Sequence, residues 1–171
     1  MTWLFDSHIH LSDSAYLPEI NLILKQMEFL KIKACCVSTD VKNSLETLSL
    51  SKQSKLVLPF IGIHPEFAND DLQKITDLIE LNQNSISGIG EIGLDPTYVK
   101  NKNDTKRQVQ VFESLLSSAE KLDKPVSIHS RKSLDDVFEI MTSYNAKNAL
   151  LHWFDGSKKQ LQKAMDMDFF V

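Results

Sequence analysis

Short apolar runs alternate with longer amphipathic stretches along the chain. The runs are WLFDSHIHL from Trp3, ACCVST from Ala34, LVLPFIGIH from Leu56, ISGIGEIGL from Ile86, PVSIHS from Pro125, NALLHWF from Asn148 and DFFV from Asp168. Between them, Ile20, Ile23, Leu24, Met27 and Leu30 recur at helical spacing, as do Leu72, Ile75, Leu78 and Ile79. Val109, Phe112, Leu115, Leu116, Ala119 and Leu122 make a third, longer stripe. Asp104 or Thr105 is its predicted N-cap, and Pro125 marks the return to extended chain. Further helices fit Leu45 to Leu48, Leu134 to Met141 and Leu161 to Met165. The rhythm is β-α six times and then a seventh strand. Runs that are apolar on both faces suit a parallel sheet covered by helices. No shift in composition divides the chain, so residues 1–171 read as one domain.

The bulk properties narrow the picture. With 42% hydrophobic residues in 171, the chain can build a sizeable core. A net charge of −4 gives no basic footprint for groove binding. It leaves a nucleic-acid substrate open, because bound cations offset phosphate charge locally. Cys35 and Cys36 are adjacent and would point to opposite faces of a strand, which disfavours a disulfide and suits a reduced, cytoplasmic setting. No apolar run has the length of a membrane span, and the N-terminus lacks a secretory pattern, so no membrane partner is expected.

The candidate chemistry lies in the histidines. All five, His8, His10, His64, His129 and His152, fall at or near the ends of predicted strands, as does Glu91. Parallel βα folds gather their strand C-termini on one face, so these residues would meet at one mouth. Taken singly, a strand histidine is more often a hydrogen-bonded core residue, and His64 before Pro65 keeps that reading. His8 and His10 differ, since a two-residue spacing projects both to the same side. Imidazoles crowded together without a cation are costly to desolvate. The joint placement points to divalent cations: Zn²⁺ or Mn²⁺ on nitrogen and carboxylate ligands, Mg²⁺ where oxygen dominates. Two cations joined by Glu91 would polarise a phosphoryl oxygen and lower the pKa of a bound water. Asp6 reads equally as ligand or as a partner orienting an imidazole.

FDSHIHL, GIHP at Gly62, GIGEIGLD at Gly88, KPVSIHSR at Lys124 and LLHWFDGS at Leu150 resemble, in order and spacing, the TatD-related metal-dependent deoxyribonucleases. The likeness covers essentially the whole chain. It implies a TIM-type (β/α)8 barrel and hydrolysis of phosphodiester bonds in DNA, typically as an exonuclease. It also implies that His8 and His10 hold one cation, that His129 and His152 hold the other, and that Glu91 joins them. His64 and Arg131 match positions near the substrate phosphate, where a guanidinium suits bidentate contact. Asp95 matches an aspartate after the bridging glutamate and is read as organising its loop.

The match breaks at the end. The family's further aspartate ligand has no counterpart, and such barrels usually need about 250 residues. The expected architecture is therefore an incomplete barrel of about seven strands with its last βα units missing. Three readings follow: a fragment of a longer product, which is preferred, a barrel completed by a partner chain, or a smaller closed fold. Open edges on strands one and seven predict poor solubility or homo-oligomers and impaired nuclease activity for the chain alone. Asp155 reads as a loop residue, and Asp166 and Asp168 as solvated. Lys100, Lys102, Lys106 and Arg107 read first as a solvated helix entry and second as phosphate contacts. Trp153 reads first as core packing and second as a base-stacking residue. Two other functions compete with the nuclease: a small-molecule hydrolase of the same superfamily, and a non-catalytic metal-binding remnant. Glu91, in a run without lysine, favours the nuclease.

Overall fold

The computed structural model describes residues 2–146 and 148–171. Strands and helices alternate: β1 Leu4–Ile9, α1 Ile20–Leu30, β2 Ile32–Val37, α2 Val41–Gln53, β3 Val57–Ile61, α3 Leu72–Leu81, β4 Gly88–Gly93, α4 Lys102–Leu122, β5 Val126–His129, α5 Leu134–Met141, β6 Ala149–Leu151 and α6 Lys158–Asp166. The strands form one parallel sheet in chain order. Each connection is a crossover of a dozen or more residues, as parallel neighbours require.

The sheet curls. Adjacent strands stand about 4.8 Å apart, so a flat sheet would separate β1 from β5 by roughly 19 Å. Instead His8 Nδ1 on β1 lies 2.9 Å from Ser127 Oγ on β5. The His8 ring also stacks on His152, just past β6, with centroids 3.4 Å apart. The arrangement is an incomplete TIM-type barrel, wound far enough to bring both ends of the sheet together at the strand C-termini. The seventh run contributes one parallel bridge between Leu150 and Phe170. Leu151 N–H donates to the Phe170 carbonyl at 2.9 Å, and Phe170 N–H donates to that of Ala149 at 2.8 Å. These bonds lie where a seventh strand begins, on the far side of β6.

Local chemistry sets the helix ends. Asp40 and Asp71 cap α2 and α3, each accepting a backbone N–H three residues on. Ser157 and Gln160 make a capping box at α6. Helix α4 begins earlier than its apolar stripe suggests. Its cap is Asn101, and Asp104 is the reciprocal partner in the capping box. The first turn holds no apolar residue, so periodicity alone does not register it. Arg107 in the second turn donates to the carbonyls of Ala68 at 2.8 Å and Asp70 at 3.0 Å. Its guanidinium fixes the loop before α3.

Two apolar clusters support the sheet. The larger joins β3 to β6 with α3, α4, α5 and α6, and fully buries Ile61, Ile75, Ile79, Phe112, Leu115 and Phe138. The smaller joins β1, β2 and α1 through Leu11, Met27, Ala34 and Cys36. Beside it, Leu4 and Phe5 on β1 are 60% and 67% exposed. The cysteines are free, with Cys36 buried and Cys35 half-buried. No helix among the described residues is long and apolar enough to cross a membrane.

Candidate metal centre

Strand β4 places the central carboxylate. It is buried on every residue, as a middle strand of a parallel sheet should be. Gly93 on it has φ 145°, and a Cβ there would strike the His129 backbone of β5, so only glycine permits this approach. The Glu91 peptide N–H donates to the Ser38 carbonyl at 2.8 Å, tying β4 to the end of β2. Glu91 is 2% exposed.

Its two oxygens face different histidines. Oε2 lies 3.3 Å from both His8 Nε2 and His10 Nε2. Oε1 lies 2.8 Å from His129 Nδ1 and 4.0 Å from His64 Nε2. Two groups, His8–His10–Glu91 and His64–Glu91–His129, each bring ligand atoms within 4.8 Å of one another. His152 belongs to neither group; it stacks on His8 at the mouth. The structure thus gathers all five histidines and Glu91 at one rim. It seats His64 closer to Glu91 than the sequence resemblance implies, and His152 farther.

Outer hydrogen bonds decide which nitrogen each ring presents. His10 Nδ1–H donates to the Val37 carbonyl at 3.1 Å, leaving the Nε2 lone pair for the centre. His129 Nε2–H donates to Asp95 Oδ2 at 2.8 Å, so Nδ1 faces inward. Ser127 Oγ holds His8 Nδ1 and frees Nε2. His64 is the exception. The Glu66 backbone N–H donates to its Nδ1 at 3.2 Å, so the neutral ring carries its proton on Nε2. Such an imidazole is a donor toward the centre rather than a lone pair for a metal.

The electrostatics follow from this crowding. Burial pushes the Glu91 carboxyl up, but hydrogen bonds from His10, His129 and His8 overcome it and hold the group well below the usual carboxylate range. Burial pulls His10 and His129 down, but hydrogen bonding to Glu91 and its charge outweigh that, and both end raised. Asp95 adds to the effect at His129. His64 is lowered to about 4 by burial and by the nearby His129, and His152 to about 4 by burial and by His8. The raised pair holds a proton more readily than a free imidazole, on nitrogens that face a carboxylate where a divalent cation would compete for them. The donor set of imidazole nitrogen and carboxylate oxygen, with the outer atoms already bonded, fits Zn²⁺ or Mn²⁺.

The centre opens into a cavity of about 460 Å³ lined by His10, His64, Glu91, His129, Arg131 and His152. Arg131 is exposed, and the salt bridges among the described residues do not include it. Asp6 stays outside both groups: its Oδ1 accepts the His8 backbone N–H at 3.0 Å, and a register irregularity in β1 follows it. Asp95 does more than organise its loop, since Oδ1 caps Thr97 while Oδ2 holds His129. Ser127 was not singled out by sequence, although its place two residues before His129 puts it on the same face of β5. Trp153 departs from the core-packing expectation: it is 85% exposed and lines the cavity, while Phe154 packs against the large core.

The family described as TatD related DNase matches residues 5–171. The chain belongs to that family. A relative from Haemophilus influenzae named "Uncharacterized metal-dependent hydrolase" is 30% identical over 176 residues, covering 98% of this chain and 68% of that protein. The zebrafish (Danio rerio) protein named "Putative deoxyribonuclease tatdn3" is 29% identical over 177 residues, covering 96% of this chain and 66% of its own length. The crystal structure of YJJV, a TatD homologue from Escherichia coli, superposes with a TM-score of 0.85 at 21% identity, covering 97% of this chain and 66% of that one. A TatD family hydrolase from Entamoeba histolytica gives 0.82 at 21% identity, over 98% of this chain and 64% of that one. At that identity the structural likeness speaks for the fold, an incomplete TIM-type barrel. The chain spans 51% to 69% of the length of the curated relatives reported as similar to it. Membership places this TatD chain in a family of metal-dependent hydrolases.

Proposed function

We propose that the chain carries the cation-binding part of a hydrolase that cleaves phosphodiester bonds of DNA, in the manner of an exonuclease. The observation that carries the reading is Glu91, whose two oxygens face separate sets of imidazoles and so suit a carboxylate shared by two cations. His8 and His10 would hold one cation and His129 and His152 the other, with Glu91 available to both. When bound, such cations (Mg²⁺, Mn²⁺ or Zn²⁺) supply Lewis acidity and bring the pKa of a coordinated water toward neutrality.

The chain's own residues provide the rest. Glu91 stays ionised at any working pH because the imidazoles hold its carboxyl low. Val37, Ser127 and Asp95 lock the rings of His10, His8 and His129 so that the inward nitrogens need no reorientation. His64, neutral at pH 7, carries on Nε2 a proton that His129 Nδ1 accepts at 3.1 Å, and that proton would be free for a phosphoryl oxygen where a cation takes the His129 lone pair. Arg131, exposed at the same cavity, offers a fork for the non-bridging oxygens. DNA is the substrate class, a choice that the name of the zebrafish relative supports.

Isothermal titration with Mn²⁺ and release of nucleotides from a DNA oligomer test this together. The wild-type chain is expected to bind two Mn²⁺ and to release nucleotides, however slowly. Glu91→Gln should lose tight binding at both sites and match the metal-stripped protein in the assay. If small esters and amides are hydrolysed under Mg²⁺, Mn²⁺ or Zn²⁺ while the oligomer stays intact, the small-molecule reading replaces this one.

A further inference from the structure

We infer that Trp153 is a stacking platform for an unstacked nucleobase of the strand whose phosphate enters the metal mouth. The inference rests on the phosphodiester reading above and adds a contact that the cations and histidines do not provide. Trp153 is the most exposed of the large apolar side chains among the described residues, at 85%. Strand β6 ends at Leu151, and the backbone at Trp153 takes φ 50°, a left-handed conformation uncommon for a bulky residue. The turn sends the indole outward, and the packing position against the core goes to Phe154. A strained backbone that keeps a large apolar ring in water calls for a ligand to cover it.

The ring's position says which ligand. Trp153 lines the same cavity as Glu91, His129 and Arg131. Its indole meets the His152 ring at 82°, with centroids 6.1 Å apart, so it stands upright at the edge of the centre rather than inside it. A cavity of about 460 Å³ lies within the usual range for small-ligand pockets. One wall is cationic and polar, for a phosphate; the other is a flat aromatic face. A nucleotide has both parts joined by a sugar, whereas a small ester or amide has no need of the second. Stacking is tolerant of base identity, because every base has a π-face.

Trp3, the chain's other tryptophan, sits at the start of β1 with Lys33 Nζ 5.4 Å from its ring. Trp3→Phe therefore makes Trp153 the lone tryptophan, excited at the red edge where the tyrosines do not absorb, without touching the centre. The Mn²⁺-loaded variant would be titrated with a phosphorothioate oligothymidylate, and separately with an abasic phosphorothioate of equal length. Quenching by the base-bearing strand alone is expected. Trp153→Ala should weaken binding of that strand about tenfold, leave the abasic strand unchanged and raise KM with kcat nearly constant. Trp153→Phe should recover part of the loss. Equal quenching by both strands, no quenching by either, or an equal effect of Trp153→Ala on both would overturn the inference. If the wild-type chain cuts DNA and Trp153→Ala leaves KM unchanged, stacking alone falls. If neither strand binds while Mn²⁺ still does, the phosphodiester reading falls with it.

Discussion

The two ends of the curled sheet are covered unequally. From β3 to β6, helices α3 to α6 seal a core in which Ile61, Phe112, Leu115 and Phe138 have no solvent contact. At β1, a small cluster drawn from α1, α2 and β2 gives the cover, and Leu4 and Phe5 face solvent. The candidate centre straddles this divide. Glu91 and His129 stand on the sealed side, and His8 and His10 come from the thin side. The contrast teaches that the central carboxylate is built into the well-packed part, while one pair of nitrogens is delivered by the less supported strand. The polar locks from Ser127 and Val37 substitute for packing there.

The largest effect should come from opening the sealed side. Phe112→Ala is expected to cost about 3–5 kcal/mol, as a fully buried aromatic does when truncated. Phe5→Ser at the exposed edge should stay within about 0.5 kcal/mol. Urea denaturation of both variants measures the gap, and equal losses would erase the contrast. Next comes Asp95→Asn, which removes the charge behind His129 without emptying space. It is expected to weaken Mn²⁺ about 10- to 100-fold on the His129 side and to leave the His8 side nearly unchanged. Calorimetry resolving the two sites checks this, and a uniform loss would show that the halves do not act separately.

The last effect is graded with pH. His10 and His129 have raised pKa values, so they keep protons to higher pH than a free imidazole. A cation must displace those protons, so affinity falls as pH drops through the raised values and recovers above them. The slope should be about tenfold per pH unit for each displaced proton. His64 and His152, lowered to about 4, are neutral across that window and add nothing to it. Competition with a fluorescent chelator between about pH 6 and about pH 8 measures the slope, and a flat profile would contradict the assignment.

Much of this was legible because strand chemistry is local. The βα rhythm and the terminal position of each histidine are sequence properties, and α5 occupies the expected Leu134–Met141. The convergence of His8, His10, Glu91 and His129 follows once parallel strands share one polarity. What sequence left unresolved depends on leaving a strand or starting a helix. Core packing for Trp153 requires that the extended chain continue to it, but β6 ends at Leu151 and the backbone turns left-handed. The irregularity in β1 separates Asp6 from the two-residue pattern of His8 and His10. The cap of α4 lies in a polar first turn that carries no periodicity. The tautomer of His64 depends on a backbone N–H at Glu66 that no residue type announces.

Asp95 has a wider consequence. One of its oxygens secures the turn Pro96–Tyr98, and the other grips a ring at the heart of the molecule. A substitution that loosens the turn would therefore also release the acceptor that orients the His129 ring, so damage done outside the cavity is felt inside it. A stretch with no ligand atom of its own thus becomes a lever.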